Sequence, residues 1–181
     1  KGLIGGMCLD QIVNNYIQPC QMDSGTRRDD NTNGILSSGK NYTDMEHKWD
    51  EAFGYLYGQV DNAKTTDLST NLSSTGTTLF KYLTKIEGSN DPGIAKRIFD
   101  AFKLGRAAIV AGAYDVRDAQ ANILKIQLSK VIGYKSVDYL EGYMSKMSAG
   151  NTADAFHALS EGYGFIMSLQ FTNDGNDAPY F

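Results

Sequence analysis

The chain has 181 residues, of which 41% are hydrophobic and 11% aromatic, and its formal net charge is −4. This length and composition fit a single globular domain, residues 1–181, with a hydrophobic core. The mildly acidic balance and the scattered basic residues argue against nucleic-acid binding, and no apolar run is long enough to span a bilayer.

The sequence of residues 1–18 predicts a first helix, and we expect Pro19 to end it. Its glycines, at positions 2, 5 and 6, lower helix propensity but are tolerated where another helix packs closely. Cys8 and Cys20 are too far apart to bridge on one helix. We expect two free, buried thiols, although a fold-back at Pro19 would allow a bridge, and neither outcome identifies a compartment.

Residues 19–42 are predicted to form a long polar loop. Within it, Asp29, Asn31 and Asn33 precede Gly34 in the spacing D-x-N-x-N-G, which imitates the first half of a calcium-binding loop. Position twelve of such a loop is Lys40, where a bidentate glutamate is needed. Calcium is therefore a minor alternative, and a turn rich in Asp and Asn is the simpler interpretation.

A helix is predicted from Thr43 to Gly58, because Thr43 and Glu46 have the spacing of a capping box. His47 and Glu51 lie four residues apart, so they project from one face of this helix.

The rest of the chain predicts further helices separated by polar segments. A polar stretch covers 59–76, and a short helix covers 77–86. Asp91 and Pro92 are expected to cap and begin the next helix. The following helices are predicted at 115–132, from a Ser136 cap to about 148, and from a Thr152 cap to about 171. No strand alternation persists, so we predict an all-α bundle of about seven helices with long polar loops.

Two segments far apart in the chain share a pattern. The sequence from Asp44 to Leu56 aligns without a gap on the sequence from Asp154 to Ile166, and His47 matches His157 while Glu51 matches Glu161. These matches favour an internal duplication in which residues 1–58 and 136–169 form two related halves.

The two H-x-x-x-E pairs are candidate metal ligands. If the helices faced each other, His47, Glu51, His157 and Glu161 would supply two imidazoles and two carboxylates, a set suited to iron, zinc or manganese. The alternative is that each His simply pairs with its own Glu inside the bundle.

Several phrases carry a resemblance that covers nearly the whole chain. EHKWDEAFGYLYG, the preceding GTRRDDNTNG and the distant EGYGFIMSLQFTNDGNDAPYF resemble a family of Bacteroidetes envelope lipoproteins of unknown function. That family is similar to the imelysin group, which implies a helical, duplicated fold in the bacterial envelope with links to iron uptake. The imelysin signature G-x-H-x-x-E is altered here. Met45 and Asp50 replace its Gly and Glu around His47, and Ala155 and Ser160 replace them around His157.

We therefore expect a non-catalytic binding or accessory protein of the cell envelope, in the periplasm or on the outer membrane, that binds iron or another metal for uptake. The chain would be a trimmed part of a longer lipoprotein whose lipid anchor lies upstream of Lys1. One alternative is a structural subunit of an outer-membrane complex, with both histidines buried and the loops 19–42 and 59–76 making the contacts. The other is a metal-dependent hydrolase.

Overall fold

The computed structural model describes residues 1–58, 60 and 78–181, and every regular element within these ranges is helical. This confirms the predicted all-α bundle. The polar stretch predicted at 59–76 lies outside the described residues apart from Val60. The chain begins with two π-helical stretches, Ile4–Leu9 and Gln11–Tyr16, and a 3-10 turn, Leu169–Phe171, follows the last α-helix. The α-helices described between them are α1 (Pro19–Met22), α2 (Arg27–Thr32), α3 (Asp44–Tyr57), α4 (Thr78–Ser89), α5 (Ile94–Val110), α6 (Tyr114–Ser148) and α7 (Thr152–Ser168).

The N-terminal segment is helical as predicted, and one of its glycines is needed for close packing. A Cβ added to Gly5 would lie 2.3 Å from the Cβ of Ser168, so only glycine lets this segment approach α7 so closely. The segment ends before Pro19, as expected. The π-helical stretch ends at Tyr16, Gln18 is extended, and Pro19 is the first residue of a separate short helix, α1, where its missing N–H costs nothing.

The predicted loop at 19–42 is also wrong, because it contains α1 and α2. Distant partners hold α2 in place. Arg27 pairs with Asp44 at the start of α3, and the guanidinium of Arg28 lies 4.5 Å from the ring centre of Tyr114. A polar segment can therefore be helical when tertiary contacts stabilise its turns.

Helix α3 begins as predicted. The Thr43 hydroxyl accepts a hydrogen bond from the Glu46 amide at 3.3 Å, and the Glu46 carboxylate accepts one from the Thr43 amide at 2.7 Å. The helix then places Trp49 in the core, where the indole Nε1 donates to the carbonyl of Phe102 at 2.9 Å.

Helix α5 begins later than predicted. Asp91 and Pro92 do not cap it, because Gly93 is the residue before its first turn, with φ of +90°. The carboxylate of Glu87 accepts hydrogen bonds from the amides of Gly93 and Ala95, both at 2.8 Å, and so satisfies the free donors of this helix start.

Helix α6 is continuous, so the predicted break between 132 and 136 is wrong. Ser136 does not cap a new helix; its Oγ donates to the carbonyl of Ile132 at 2.9 Å within the same helix. Helix α7 begins at Thr152 and its capping residue is Asn151, one residue earlier than predicted.

The α6–α7 hairpin extends past the buried core. The buried residues of α6 end at Ser136, and the remaining turns run antiparallel to α7. A Cβ on Gly162 would lie 3.1 Å from the Cβ of Tyr139, and the rings of Tyr143 and Phe156 are 6.4 Å apart. These contacts fix how the two helices are aligned.

The described residues bear on two further expectations, the absence of a membrane-spanning helix and the state of the two cysteines. None of the helices described in 1–58 or 78–181 has the length and apolar character needed to cross a bilayer. Cys8 and Cys20 are both free, as expected, but Cys8 is half-buried and Cys20 is exposed, so the expectation that both thiols are buried is wrong.

Candidate functional site

The first H-x-x-x-E pair lies on the outer side of α3. His47 Nε2 is 3.6 Å from Glu51 Oε1, and the imidazole stacks on the ring of Tyr42 with centroids 5.0 Å apart. The other oxygen of Glu51 accepts from Lys48 Nζ at 2.7 Å. The carboxylate predicted as a metal ligand therefore already has a cationic partner on its own helix.

The second pair, on α7, has nearly the same local geometry. His157 Nε2 is 3.8 Å from Glu161 Oε1, and the same oxygen lies 2.9 Å from Lys1 Nζ. The four-residue spacing thus produces a His–Glu pair at both sites, as the shared pattern predicts. At both sites, a lysine is the nearer partner of the glutamate.

The groups around Glu161 have pKa values displaced away from neutrality. Although partial burial opposes it, hydrogen bonds with Lys1 and Tyr139 hold the pKa of Glu161 below its usual range. Interaction with Tyr82 raises the pKa of Lys1, and burial followed by interaction with Glu161 raises the pKa of Tyr139. A general acid or base works best with a pKa near the ambient pH, so this cluster has the character of a fixed ion pair.

The structure does not bring the two pairs together. Helix α3 packs mainly against the Gln11–Tyr16 stretch, α2 and α5, whereas α7 packs mainly against α6. Among the residues described, 1–58, 60 and 78–181, no three His, Cys, Asp or Glu side chains are grouped closely enough to hold a metal ion. The four candidate ligands therefore stand as two separate pairs.

The structural alternative predicted that both histidines are buried, and this is wrong. The side chain of His47 is 41% exposed and that of His157 is 72% exposed. Both face the surface because the buried sides of α3 and α7 carry other residues, among them Trp49 and Phe165.

The residues of the calcium alternative lie on or just after α2. Asn31 donates to the carbonyl of Ile109 at 2.8 Å and accepts from Thr43 at 2.6 Å, and Asn33 donates to the carbonyl of Asp29 at 2.8 Å. The calcium alternative depends on a loop, but this segment is helical. The side-chain amides of Asn31 and Asn33 are hydrogen-bonded to other groups of the protein.

The α6–α7 hairpin carries a surface that the sequence analysis did not identify. Four large apolar side chains of α6 recur at intervals of three, four and three residues on its exposed side. Four more are exposed on α7. We call these eight residues the apolar face: Val137, Leu140, Met144, Met147, Phe156, Tyr163, Ile166 and Met167. Their spacing was a signal in the sequence, but an apolar stripe on a predicted helix is ordinarily assigned to the core.

Both halves of the apolar face point to the same side of the hairpin. On α6 the stripe lies about a third of a turn past Tyr139, the residue that contacts α7; on α7 it lies about a third of a turn past Gly162. Because the helices are antiparallel, equal rotations along the two sequences turn both stripes toward one side.

Comparison with known families matches the whole chain, residues 1–181, to a family described as a domain of unknown function, DUF4856. The chain belongs to the DUF4856 family. Comparisons with curated proteins and with solved structures give no match. Since the DUF4856 family comes with no described activity, function must be argued from the exposed chemistry of this chain. Among the described residues, the separate His–Glu pairs and the apolar face carry such exposed chemistry.

Proposed function

We propose that this chain is a non-catalytic binding or accessory module of the bacterial cell envelope, and that it works by presenting the apolar face of the α6–α7 hairpin to a protein surface. The envelope location, with a lipid anchor upstream of Lys1, is supported by the resemblance to envelope lipoproteins and to the imelysin group. The docking role is supported by one observation, the exposure of eight large apolar side chains on one side of a protruding hairpin.

The size of the apolar face favours a contact surface. Its side chains are between 36% and 64% exposed. With roughly 200 Å² for each fully exposed side chain of this size, they present roughly 800 Å² to solvent. The largest apolar patch on a typical monomer is about 300–600 Å², and larger patches mark interaction sites.

Photo-cross-linking in cells tests this role. A photo-reactive amino acid replaces Met144 in the apolar face, and in a control chain it replaces Leu104, which is 50% exposed on α5. We expect a protein adduct from position 144, in the envelope fraction, and none from position 104. If position 144 forms no protein adduct in cells, the docking role is wrong.

Metal binding is the second candidate, because each exposed His still has a glutamate oxygen within 3.8 Å. Since the pairs are separate, any iron or other divalent metal would bind them independently, with two protein ligands each. Metal analysis of the purified protein, compared with His47→Ala and His157→Ala, tests this. If the metal role is right, each substitution removes only the metal bound at its own His–Glu pair. An unsubstituted protein that binds no metal would contradict it.

The hydrolase alternative gains no support from the Glu161 cluster, because the pKa values of its groups lie away from neutrality.

A further inference from the structure

The apolar face has the properties of a surface that binds its own copy. It lies on two antiparallel helices, and all eight of its side chains are uncharged. Two such hairpins, related by a twofold axis that lies in the plane of the contact, would place apolar side chains against apolar side chains along four helices. Twofold dimers, in which both subunits use the same surface, are the commonest soluble oligomers. Four packed helices also bury their apolar stripes in a shared core.

The area of the apolar face matches what a stable dimer needs. A standard protein interface buries about 800 Å² on each partner, and the face presents roughly this amount. A single docked peptide helix would lie between the two stripes and cover part of each, whereas a second hairpin brings two helices and covers more of both.

The charge of the hairpin argues against the other common use of an apolar surface. Residues 137–168 carry one basic side chain, Lys146, and four acidic ones: Asp138, Glu141, Asp154 and Glu161. Two of these acidic groups are paired with lysines outside this range, Glu161 with Lys1 and Asp138 with Lys135. With a single lysine of its own, the hairpin lacks the basic cluster that anionic lipid headgroups attract.

At one end of the α6 stripe, an aromatic ring of the chain itself packs against the helix. Gly133 lies one turn before Val137, and the ring of Phe181 is seated over it. A Cβ at Gly133 would lie 2.2 Å from Phe181 Cζ, so the ring fills the notch that the glycine leaves. Phe181 itself stays 58% exposed and extends the same apolar surface.

From these observations we infer that the apolar face pairs with the same face of a second copy, forming a twofold dimer through a four-helix contact. This inference rests on the proposed docking role and names its partner. Met144 and Leu140 of α6 and Tyr163 of α7 lie in the contact, whereas Leu104 of α5 stays exposed.

Sedimentation equilibrium of the full chain tests the inference between about 1 µM and about 1 mM, a range that spans ordinary dimer affinities. We expect the mass to rise to twice 19.8 kDa. Met144→Glu places a charge in the contact and should weaken dimerisation at least ~30-fold. Tyr163→Glu should do the same from the other helix, and Leu104→Glu, the matched control, should leave the dimer unchanged. Circular dichroism verifies that each variant keeps its helical signal.

Three outcomes would overturn the inference. The first is an unsubstituted chain that stays at 19.8 kDa throughout the range. The second is a dimer that Met144→Glu and Tyr163→Glu leave intact. The third is flotation with phosphatidylcholine vesicles that is lost in Met144→Glu, which would make the face a lipid contact. A monomer in solution whose position 144 still cross-links a different envelope protein overturns the dimer and leaves the docking role standing.

Discussion

Gly105 on α5 shows how one missing side chain positions two helices. A Cβ at this residue would lie 2.1 Å from Cζ2 of Trp49, which is much shorter than any contact between two non-bonded carbon atoms. The indole cannot swing away without breaking its hydrogen bond to the carbonyl of Phe102. Glycine at position 105 is therefore what allows α3 and α5 to cross where Trp49 fills the core.

We expect Gly105→Ala to lower the free energy of unfolding by about 1–3 kcal/mol, the usual cost of overpacking a core. This loss would appear although alanine favours helix by up to about 1 kcal/mol. The matched control is Gly54→Ala on α3, where a Cβ meets no atom within 4 Å; it should raise the free energy of unfolding by roughly 0.5–1 kcal/mol. Urea titrations measure both, and a gain in both variants would contradict the packing described.

At this scale the sequence predicted the local geometry of the His–Glu pairs but not their surroundings. The spacing of four residues placed His47 beside Glu51 and His157 beside Glu161. The exposure of both rings and the approach of Lys1 to Glu161 depend on how whole helices pack, and no local pattern encodes that.

At the level of elements, the prediction succeeded where the cause is local. The capping box at Thr43 lies within four residues, and α3 begins there. Helix α2 was missed because its stabilising partners, such as Tyr114, are far away in sequence. The break in α6 was predicted because a serine can cap a helix, but Ser136 bonds back to Ile132 inside an uninterrupted helix.

Two hydroxyl deletions separate a true cap from an internal serine. Thr43→Ala should lower the free energy of unfolding by about 1–2 kcal/mol, because the Glu46 amide loses its acceptor and Asn31 loses the hydrogen bond that the hydroxyl donates. Ser136→Ala should change it by less than about 0.5 kcal/mol, since the helix keeps its backbone hydrogen bonds there. Urea unfolding compares the two variants directly. An equal loss from both would indicate that a helix starts at Ser136.

For the molecule as a whole, two buried cations on α6 hold distant parts of the chain. Arg117, with 1% of its side chain exposed, binds Asp23 through two hydrogen bonds of 2.7 and 3.1 Å. Lys125, 2% exposed, lies 2.8 Å from Asp177 in the C-terminal tail. The Arg117 hydrogen bond lowers the pKa of Asp23, and the Lys125 hydrogen bond lowers that of Asp177.

This arrangement makes stability depend on pH in the acid range. Because the pKa of Asp23 is lower in the folded state than its unfolded value of about 3.9, its contribution is complete above that value and is lost as pH falls through the folded pKa. We expect Asp23→Ala to cost about 2–4 kcal/mol at neutral pH, because it leaves Arg117 buried without its main partner. The loss should shrink as the pH falls through the acid range.

The control is Asp100→Ala, which removes an exposed partner of Lys96 and should cost less than about 1 kcal/mol. Urea unfolding of both variants across the acid range supplies the comparison. If Asp23→Ala costs no more than Asp100→Ala, the buried pair is not an anchor.

Methionine oxidation tests the central claim, that the apolar face is a contact surface, most directly. The six methionines divide into three in the face (Met144, Met147 and Met167), two in the core (Met22 and Met45) and one exposed on the N-terminal helix (Met7). Peroxide oxidises exposed methionines to sulfoxides, and mass spectrometry reports the rate at each site. We predict that raising the protein concentration slows oxidation of the three face methionines, while Met7 keeps its rate and the core pair stays slow. Face methionines that oxidise at an unchanged rate over the whole concentration range would contradict the dimer, and an unchanged rate in intact cells as well would contradict the contact surface itself.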